Sequence, residues 1–451
     1  MLVSPARAAA FEILLKVETE GAYGSELLHS PRLQKLSAAD HGLSTELVMG
    51  VLRWRSSLDA EIARTSSQRL EKLDIEVLAA LRLGTYQLAA LERIPAHAAI
   101  NESVELVKTA RKRSAAPFVN AVLRKISQRG SELRENFGGA GASSSAAAIA
   151  AAFAHPAWLV ERWYREFGPE NTARICGYDQ QVPVKAIRLC DPAAEDELRR
   201  EHIRLAPGVL MANARLVLPG DALSGDVSRN KAIREGRITI QDEASQLVAT
   251  LVGRGERLLD CCAAPGGKTS VLADRNPEAS ILAAELHPHR ASLLRDLVKS
   301  TNVRVVAADA QHLPVGNSFD RVLADVPCSG TGTLARNPEI KWRLQPSDLN
   351  DLHARQVGIL SSALKHLSPG GRIVYATCSM EREENEKVIE EVLQGNSSFR
   401  VMDSRLELEK LRVEGELVWK DVNSLTSGFF LRTIPGVHPC DGFFAAVIEK
   451  S

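Results

Sequence analysis

The sequence predicts a multidomain protein in which an all-α bundle precedes a small α+β module and an α/β domain with a doubly wound parallel sheet. Three observations lead there. A chain of 451 residues is too long for one ordinary core. Apolar residues recur at i, i+3, i+4 and i+7 through residues 1 to 128. After Gln241 short apolar runs of strand length alternate with helical or loop segments.

The bundle rests on "ARAAAFEILLKVE", "LSTELVMGVLRWRSSLDAEIA", "DIEVLAALRLGTYQLAAL", "HAAINESVELVKTAR" and "APFVNAVLRKIS". Pro95 is expected to end one helix and Pro117 to open the last. The first domain then covers 1–130. A Gly/Ala/Ser-rich linker, 131–154, follows, with "GGAGASSSAAAIAAA" at its centre. The small module, 155–238, combines a helix ("PAWLVERWYREFG") with short strands ("VKAIRL", "VLMANARLVL", "RITI"). In the last domain, 239–451, strands are expected at "RLLDC", "SILAAE", "VRVVAA", "FDRVLAD" and "GRIVYAT". No internal repeat is visible.

Composition narrows the function only by exclusion. The chain is 45% hydrophobic and 25% charged, and 56 Lys and Arg balance 56 Asp and Glu. A nucleic-acid surface must therefore come from local clusters. Seven scattered cysteines, an odd number, do not form a disulfide framework, and no Cys-x-x-Cys pair or Cys/His cluster at zinc spacing predicts a metal. With no signal-like start and no run of about 18 apolar residues, the expectation is a cytoplasmic protein away from membranes.

In doubly wound sheets ligands bind beyond the carboxyl ends of the strands. There the sequence places Asp260-Cys-Cys-Ala-Ala-Pro-Gly-Gly-Lys-Thr269. A Gly-Gly turn before a helix admits a nucleotide-like ligand, although such a turn is as often plain tight packing. It is neither a P-loop nor a full Gly-x-Gly-x-x-Gly. Glu285 closes the second strand, where an acid accepts hydrogen bonds from ribose hydroxyls. Asp309 follows the third strand and Asp325 closes the fourth. Four acids, Asp260, Glu285, Asp309 and Asp325, all at strand ends, would crowd one crevice; helix capping is the plainer alternative for Asp260 or Asp309.

Cys328, in Asp325-Val-Pro-Cys328, and Cys378, in Thr377-Cys378-Ser379, emerge at the same sheet edge if their strands are neighbours. A single cysteine is most often a small buried hydrophobe. Two at equivalent strand ends, with Gly330 and Gly332 leaving room for a planar group, suit a base drawn out of its stack. A thiolate adding to carbon 6 of a pyrimidine makes carbon 5 nucleophilic toward an electrophilic methyl group. Lys268 and Lys341 are the candidate cations that would favour the thiolate.

"LLDCCAAPGGKT", "DVPCSGTGTLARNPEIKW" and "VYATCSMEREENE" together resemble three signature motifs of the RNA cytosine-5 methyltransferases of the RsmB/NOP family. "HAAINESVELVK" and "FVNAVLRKI" are similar to the NusB-like helical domain that precedes the catalytic part in its bacterial ribosomal members. "ITIQDEASQLVA" and "DGFFAAVIEK" fit the same branch, so the resemblance spans nearly the whole chain. It implies a NusB-like bundle, an RRM-like α+β module and a Rossmann-like catalytic domain that uses S-adenosyl-L-methionine. Cys262, Ala263, Ala264, Pro265, Gly266, Gly267 and Lys268 would line the cofactor site. Glu285 would hold the ribose, with Asp309 and Asp325 near the adenine and methionine ends. Cys378 would be the nucleophile, Cys328 the residue that assists product release, and Asp325 a further catalytic group. The implied substrate is one cytosine of 16S ribosomal RNA, in the small-subunit head near the P site, met as free RNA or in a partly assembled subunit.

Two positions depart from the family pattern. Glu285 stands where Asp is usual, and Ala335-Arg-Asn-Pro-Glu339 where Arg-His-Pro-Asp is usual. For RNA contact the candidates are Arg336, Lys341, Trp342 and Arg343 in one segment and Lys108, Arg111, Lys112 and Arg113 at a helix end, with Arg124 and Lys125 nearby. Solvated surface or core is the alternative for each. Two rival functions stand beside this one: a non-catalytic RNA-binding scaffold, which would let the catalytic motifs decay, and a DNA cytosine-5 methyltransferase, which would use Cys328 as nucleophile. A monomer without an obligate protein partner is expected.

Overall fold

The computed structural model describes residues 3–130, 145–219, 227–316 and 318–451. It contains two compact units, one formed by Met1–Val182 with Leu334–Leu344 and the other by Pro183–Thr333 with Gln345–Ser451. Most of the expected Gly/Ala/Ser linker, 131–144, lies outside the described residues.

Seven helices build most of the first unit: α1 (Pro5–Glu20), α2 (Gly24–Leu28), α3 (Ala38–Arg53), α4 (Arg55–Thr65), α5 (Ile75–Ala90), α6 (Ala96–Thr109) and α7 (Ala116–Ser127). Local chemistry sets their ends. Gly21, at φ +65°, stops α1, and the Ser37 hydroxyl accepts the Asp40 N–H at the start of α3. Pro117 sits in the first turn of α7, as expected. Pro95 does not end a helix: α5 stops at Ala90, and Pro95 instead caps α6. Its fixed φ suits a helix start. The helices share one core that includes Leu47, Leu52, Leu58, Leu81, Leu123 and Ile126.

The helix Ala157–Asp179, broken at Gly168 (φ +76°), belongs to this unit rather than to the small module where the sequence put it. Its buried Trp163 meets the ring of His155, and Gln180 just past its end donates to the Arg53 carbonyl at 3.1 Å. A short helix, Ala146–Ala152, precedes it within the expected linker.

In the second unit β1 (Lys185–Leu189), β2 (Leu205–Pro207), β3 (Ala214–Val217) and β4 (Ile238–Ile240) form an antiparallel sheet in the order β2-β3-β1-β4. The larger sheet starts with five parallel strands: β5 (Arg257–Asp260), β6 (Ser280–Glu285), β7 (Val303–Ala307), β8 (Phe319–Asp325) and β9 (Leu367–Thr377). An antiparallel extension, β10 (Phe399–Val401), β11 (Thr426–Ser427), β12 (Phe430–Thr433) and β13 (Phe443–Lys450), was not foreseen from the sequence. The order is β11-β12-β13-β9-β8-β5-β6-β7, with β10 also pairing β13.

Consecutive residues feed opposite cores. Leu258, Leu323 and Val374 face one core and Leu259, Ala324 and Tyr375 the other, so both faces of the sheet are covered. Helices Glu243–Leu251 and Gly267–Arg275 supply the first core, Asp348–Lys365 and Glu386–Leu393 the second. The chain runs from β5 outward through β6 to β7, then returns to place β8 on the other side of β5. That reversal opens a crevice beyond the ends of β5 and β8.

Candidate active site

The residues from Cys262 to Lys268 form the turn between β5 and the helix Gly267–Arg275. Ala263 is tied by its N–H to the Ala284 carbonyl at 2.9 Å, the Ala264–Pro265 bond is cis, and Pro265 is exposed. Gly266 adopts φ +112°, and a Cβ there would lie 2.6 Å from Val298 Cγ2. The turn thus needs glycine for both conformation and space. Lys268 points back across it: Nζ is 2.6 Å from Asp325 Oδ2 and 4.9 Å from the centre of the Phe443 ring. Burial works against its charge, but the Asp325 carboxylate, with Cys378 and Asp260 adding to it, raises the lysine pKa overall.

The strand-end acids take separate roles. Glu285 is buried, accepts the His287 N–H at 3.0 Å and has Arg290 at 3.7 Å. Asp309 caps a short 3-10 turn through the Gln311 N–H at 2.9 Å. Capping is therefore one observed use of Asp309. Asp260 is 1% exposed; its Oδ2 accepts the Thr269 hydroxyl at 2.8 Å, while Oδ1 is buried without a hydrogen-bond partner. Burial pushes its carboxyl up to about 7, against the pull of the Thr269 bond. Gln241, beside Gly267, likewise leaves Oε1 buried and unpartnered.

Buried polar atoms without partners are costly, so two of them flanking a glycine turn mark a place for a polar ligand. Asp260 and Gln241 were not among the site residues expected from the sequence. Asp260 is one of the four strand-end acids of the crevice, with helix capping as its alternative, and Gln241 stands on the segment leading into the helix Glu243–Leu251, with no motif of its own.

Because β8 and β9 pair in parallel with Asp325 opposite Ala376, their following turns leave the sheet together. Cys328 Sγ and Cys378 Sγ are 3.2 Å apart, both half-buried and both free thiols. The hydrogen bond to Cys378 and then burial push the Cys328 thiol well up, with Glu384 and Asp325 adding to the effect. Gly332 lies under both turns, donating to the Cys378 carbonyl at 2.9 Å and accepting the Gly442 N–H at 2.8 Å. A Cβ on Gly332 would fall 2.1 Å from the Gly442 carbonyl oxygen. Its role is close backbone approach.

In the segment 336–343 the side chains turn to partners within the helical unit. Lys341 is 1% exposed and donates to the Arg53 carbonyl at 3.0 Å, and Trp342 Nε1 donates to the Leu52 carbonyl at 2.5 Å. Arg343 donates to the Gly21 carbonyl and stacks over Tyr23 at 4.7 Å. Arg336 is half-buried. These side chains anchor Leu334–Leu344 inside the helical unit, and the Lys341 ammonium is spent on that packing. Of the helix-end cluster, Lys108 pairs with Glu105 at 2.7 Å and Lys112 with Asp74 at 3.0 Å, whereas Arg111 and Arg113 are exposed.

Comparison with known proteins agrees with this arrangement. Residues 250–449 match the family described as 16S rRNA methyltransferase RsmB/F, and residues 4–128 match the NusB family. The chain is 32% identical, over 98% of each chain, to the probable ribosomal RNA small subunit methyltransferase B of Bacillus subtilis. It is 31% identical, again over 98% of each, to the ribosomal RNA small subunit methyltransferase B of Escherichia coli. Among solved structures PH0851 shares the fold across 100% of both chains, with a TM-score of 0.79 at 22% identity. On the full-length identity and the two matched regions together, the chain belongs to the RsmB/F family of 16S rRNA methyltransferases, whose cofactor is S-adenosylmethionine.

Proposed function

We propose that this protein methylates carbon 5 of one cytosine in 16S ribosomal RNA, with Cys378 as nucleophile and Cys328 assisting release. The observation that carries the reading is the pair of sulfurs 3.2 Å apart beside the Lys268–Asp325 ion pair. S-adenosylmethionine, when bound, supplies an electrophilic methyl group. Cys262 to Lys268, Glu285 and Asp309 are the residues assigned to hold it, and the unpartnered Asp260 Oδ1 and Gln241 Oε1 suit its polar groups.

Cys378 sulfur bonds to carbon 6 of the cytosine, which makes carbon 5 the nucleophile. After carbon 5 has taken the methyl group it gives up its proton to solvent water, and the electron pair left behind reforms the ring double bond as the Cys378 sulfur leaves as thiolate. Cys328, the sulfur that keeps its proton, stands against the departing thiolate. Asp325 and Lys268 fix the polar edge of this pocket. By resemblance the cytosine lies in the small-subunit head near the P site, and the helical unit, acting within a cytoplasmic monomer, brings the RNA.

The test is a denaturing gel of native, Cys378→Ala and Cys328→Ala protein mixed with cofactor and unmodified 16S RNA. A covalent protein-RNA band that accumulates only with Cys328→Ala is expected. A band with Cys378→Ala instead would exchange the two roles and bring back the DNA-type mechanism.

A further inference from the structure

Both cysteine motifs continue with serine, Cys328-Ser329 and Cys378-Ser379, and both serines reach the same carboxylate. Ser329 Oγ donates to Glu384 Oε2 at 2.5 Å, and Ser379 Oγ donates to that same oxygen. The other oxygen, Oε1, accepts the Ser329 N–H at 2.8 Å and Gln356 Nε2 at 2.9 Å. Gln356 Nε2 also donates to the Pro327 carbonyl at 2.9 Å, so it grips the turn on the other side of Cys328. Glu384 is fully buried, and its own carbonyl accepts the Tyr375 hydroxyl at 2.6 Å. Next to it Asn385 accepts the Thr377 hydroxyl at 2.5 Å and donates to the Ser379 carbonyl at 2.9 Å.

We propose that Glu384 is a positioning residue: one buried carboxylate fixes the spacing of the two thiols through Ser329 and Ser379 and opposes negative charge on Cys328. A buried carboxylate is tolerated only when several donors satisfy it, and here four do. Cys328 has Cys378 at 3.2 Å, and the Glu384 and Asp325 carboxylates and the Tyr375 phenol are the other titratable groups that act on its charge. Both carboxylates disfavour negative charge on Cys328, and of the two only Asp325 has a cation, Lys268, paired to it. The raised pKa of the Cys328 thiol agrees with this arrangement. The inference rests on the reading that both thiols take part in the reaction.

Glu384→Gln keeps the size and an acceptor for Ser329 N–H and Gln356, and removes the charge. The measurement is alkylation of Cys328 by iodoacetamide as a function of pH, on the full chain without RNA or cofactor, read by peptide mass spectrometry. In Glu384→Gln the midpoint is expected to move to lower pH, and at any pH below it Cys328 should label about tenfold faster for every pH unit the midpoint has moved. An unchanged midpoint in folded Glu384→Gln protein overturns the electrostatic role. The geometric role is read separately with Ser329→Ala/Ser379→Ala, which keeps the carboxylate and unties the turns. Its kcat is expected to drop at least tenfold with KM for RNA unchanged, and Ser379→Thr to retain turnover. Native turnover in the double variant overturns that role, and this arm stands even if Glu384→Gln fails to fold. Alkylation needs no substrate, so its failure counts against Glu384 alone. Failure of the underlying reading would show instead in the covalent protein-RNA band.

Discussion

Lys268 and Lys341 are both withdrawn from water, and one neighbour separates their behaviour. Lys268 has a carboxylate 2.6 Å away, and that partner keeps its charge against burial. Lys341 has a backbone carbonyl 3.0 Å away and the Trp342 ring at 5.1 Å. Burial brings its pKa down to about 7, aided by the charge of Arg53 and opposed by Asp179 and Cys176. A buried lysine is a cation only where an acid holds it so. The first therefore belongs to the electrostatics of the thiol site and the second to the packing of the helical unit.

The strongest way to break this contrast is to remove the acid. Asp325→Asn leaves Lys268 without its counter-charge, and methyl transfer in single-turnover assays is expected to fall on the order of 10²- to 10³-fold. A rate within threefold of native would remove the pair from the mechanism. The converse change, Lys341→Met, is expected to leave transfer near native and to alter stability instead. Its folded pKa of about 7 lies below the unfolded value, so the fold binds fewer protons between pH 7 and 10.5 and gains stability as pH rises through that window. The gain is at most about 4 kcal/mol, and Lys341→Met should flatten it in urea denaturation at pH 7 and pH 10. An unchanged slope would show that Lys341 is charged in the fold.

Asp260 carries the same contrast to an acid. Like Lys341 it is buried without an opposite charge in hydrogen-bond contact, and its carboxyl moves from 3.8 up to about 7. Raised in this way, it contributes stability at low pH that is lost as pH rises through about 7. Cofactor affinity by calorimetry is expected to weaken below pH 7, approaching tenfold per pH unit, and to lose this dependence in Asp260→Asn. A flat native profile would take Asp260 out of the cofactor site. The smallest effect is expected at the helix end. Arg111→Ala and Arg113→Ala should each reduce the salt slope of RNA binding by about 0.7 to 0.9, and Lys112→Ala by less because Asp74 already neutralises it.

What was legible in the sequence follows the same line between local and distant causes. Strand-length apolar runs gave β5 to β9 their places: the central strands are buried on both faces and read as apolar sequence, whereas β7, at the sheet edge, keeps Arg304 exposed and is carried by its three valines. The cysteines at the ends of β8 and β9 could be paired on paper because parallel neighbours end at one edge. Lys341 and Trp342 read as RNA contacts, with core the alternative for Trp342, because nothing near them in sequence supplies their partners, Arg53 and Leu52. Asp260 could be placed in the crevice as a strand-end acid, but its orphaned oxygen is visible only in three dimensions. Glu384 lies six residues after Cys378, yet its tie to Ser329 spans 55 residues and leaves no periodic trace.

The docking of Leu334–Leu344 also sets an order of events during synthesis. Glu339 accepts the Gly24 N–H across 315 residues, and Lys341 and Trp342 reach back 288 and 290. The helices of the first unit leave the ribosome long before those partners exist. Until β8 and the turn after it have been translated, the Leu52 carbonyl has only water to satisfy it, while that of Arg53 already has Gln180. Translation speed through the first strands of the catalytic domain therefore governs how long an otherwise finished bundle waits for its last piece.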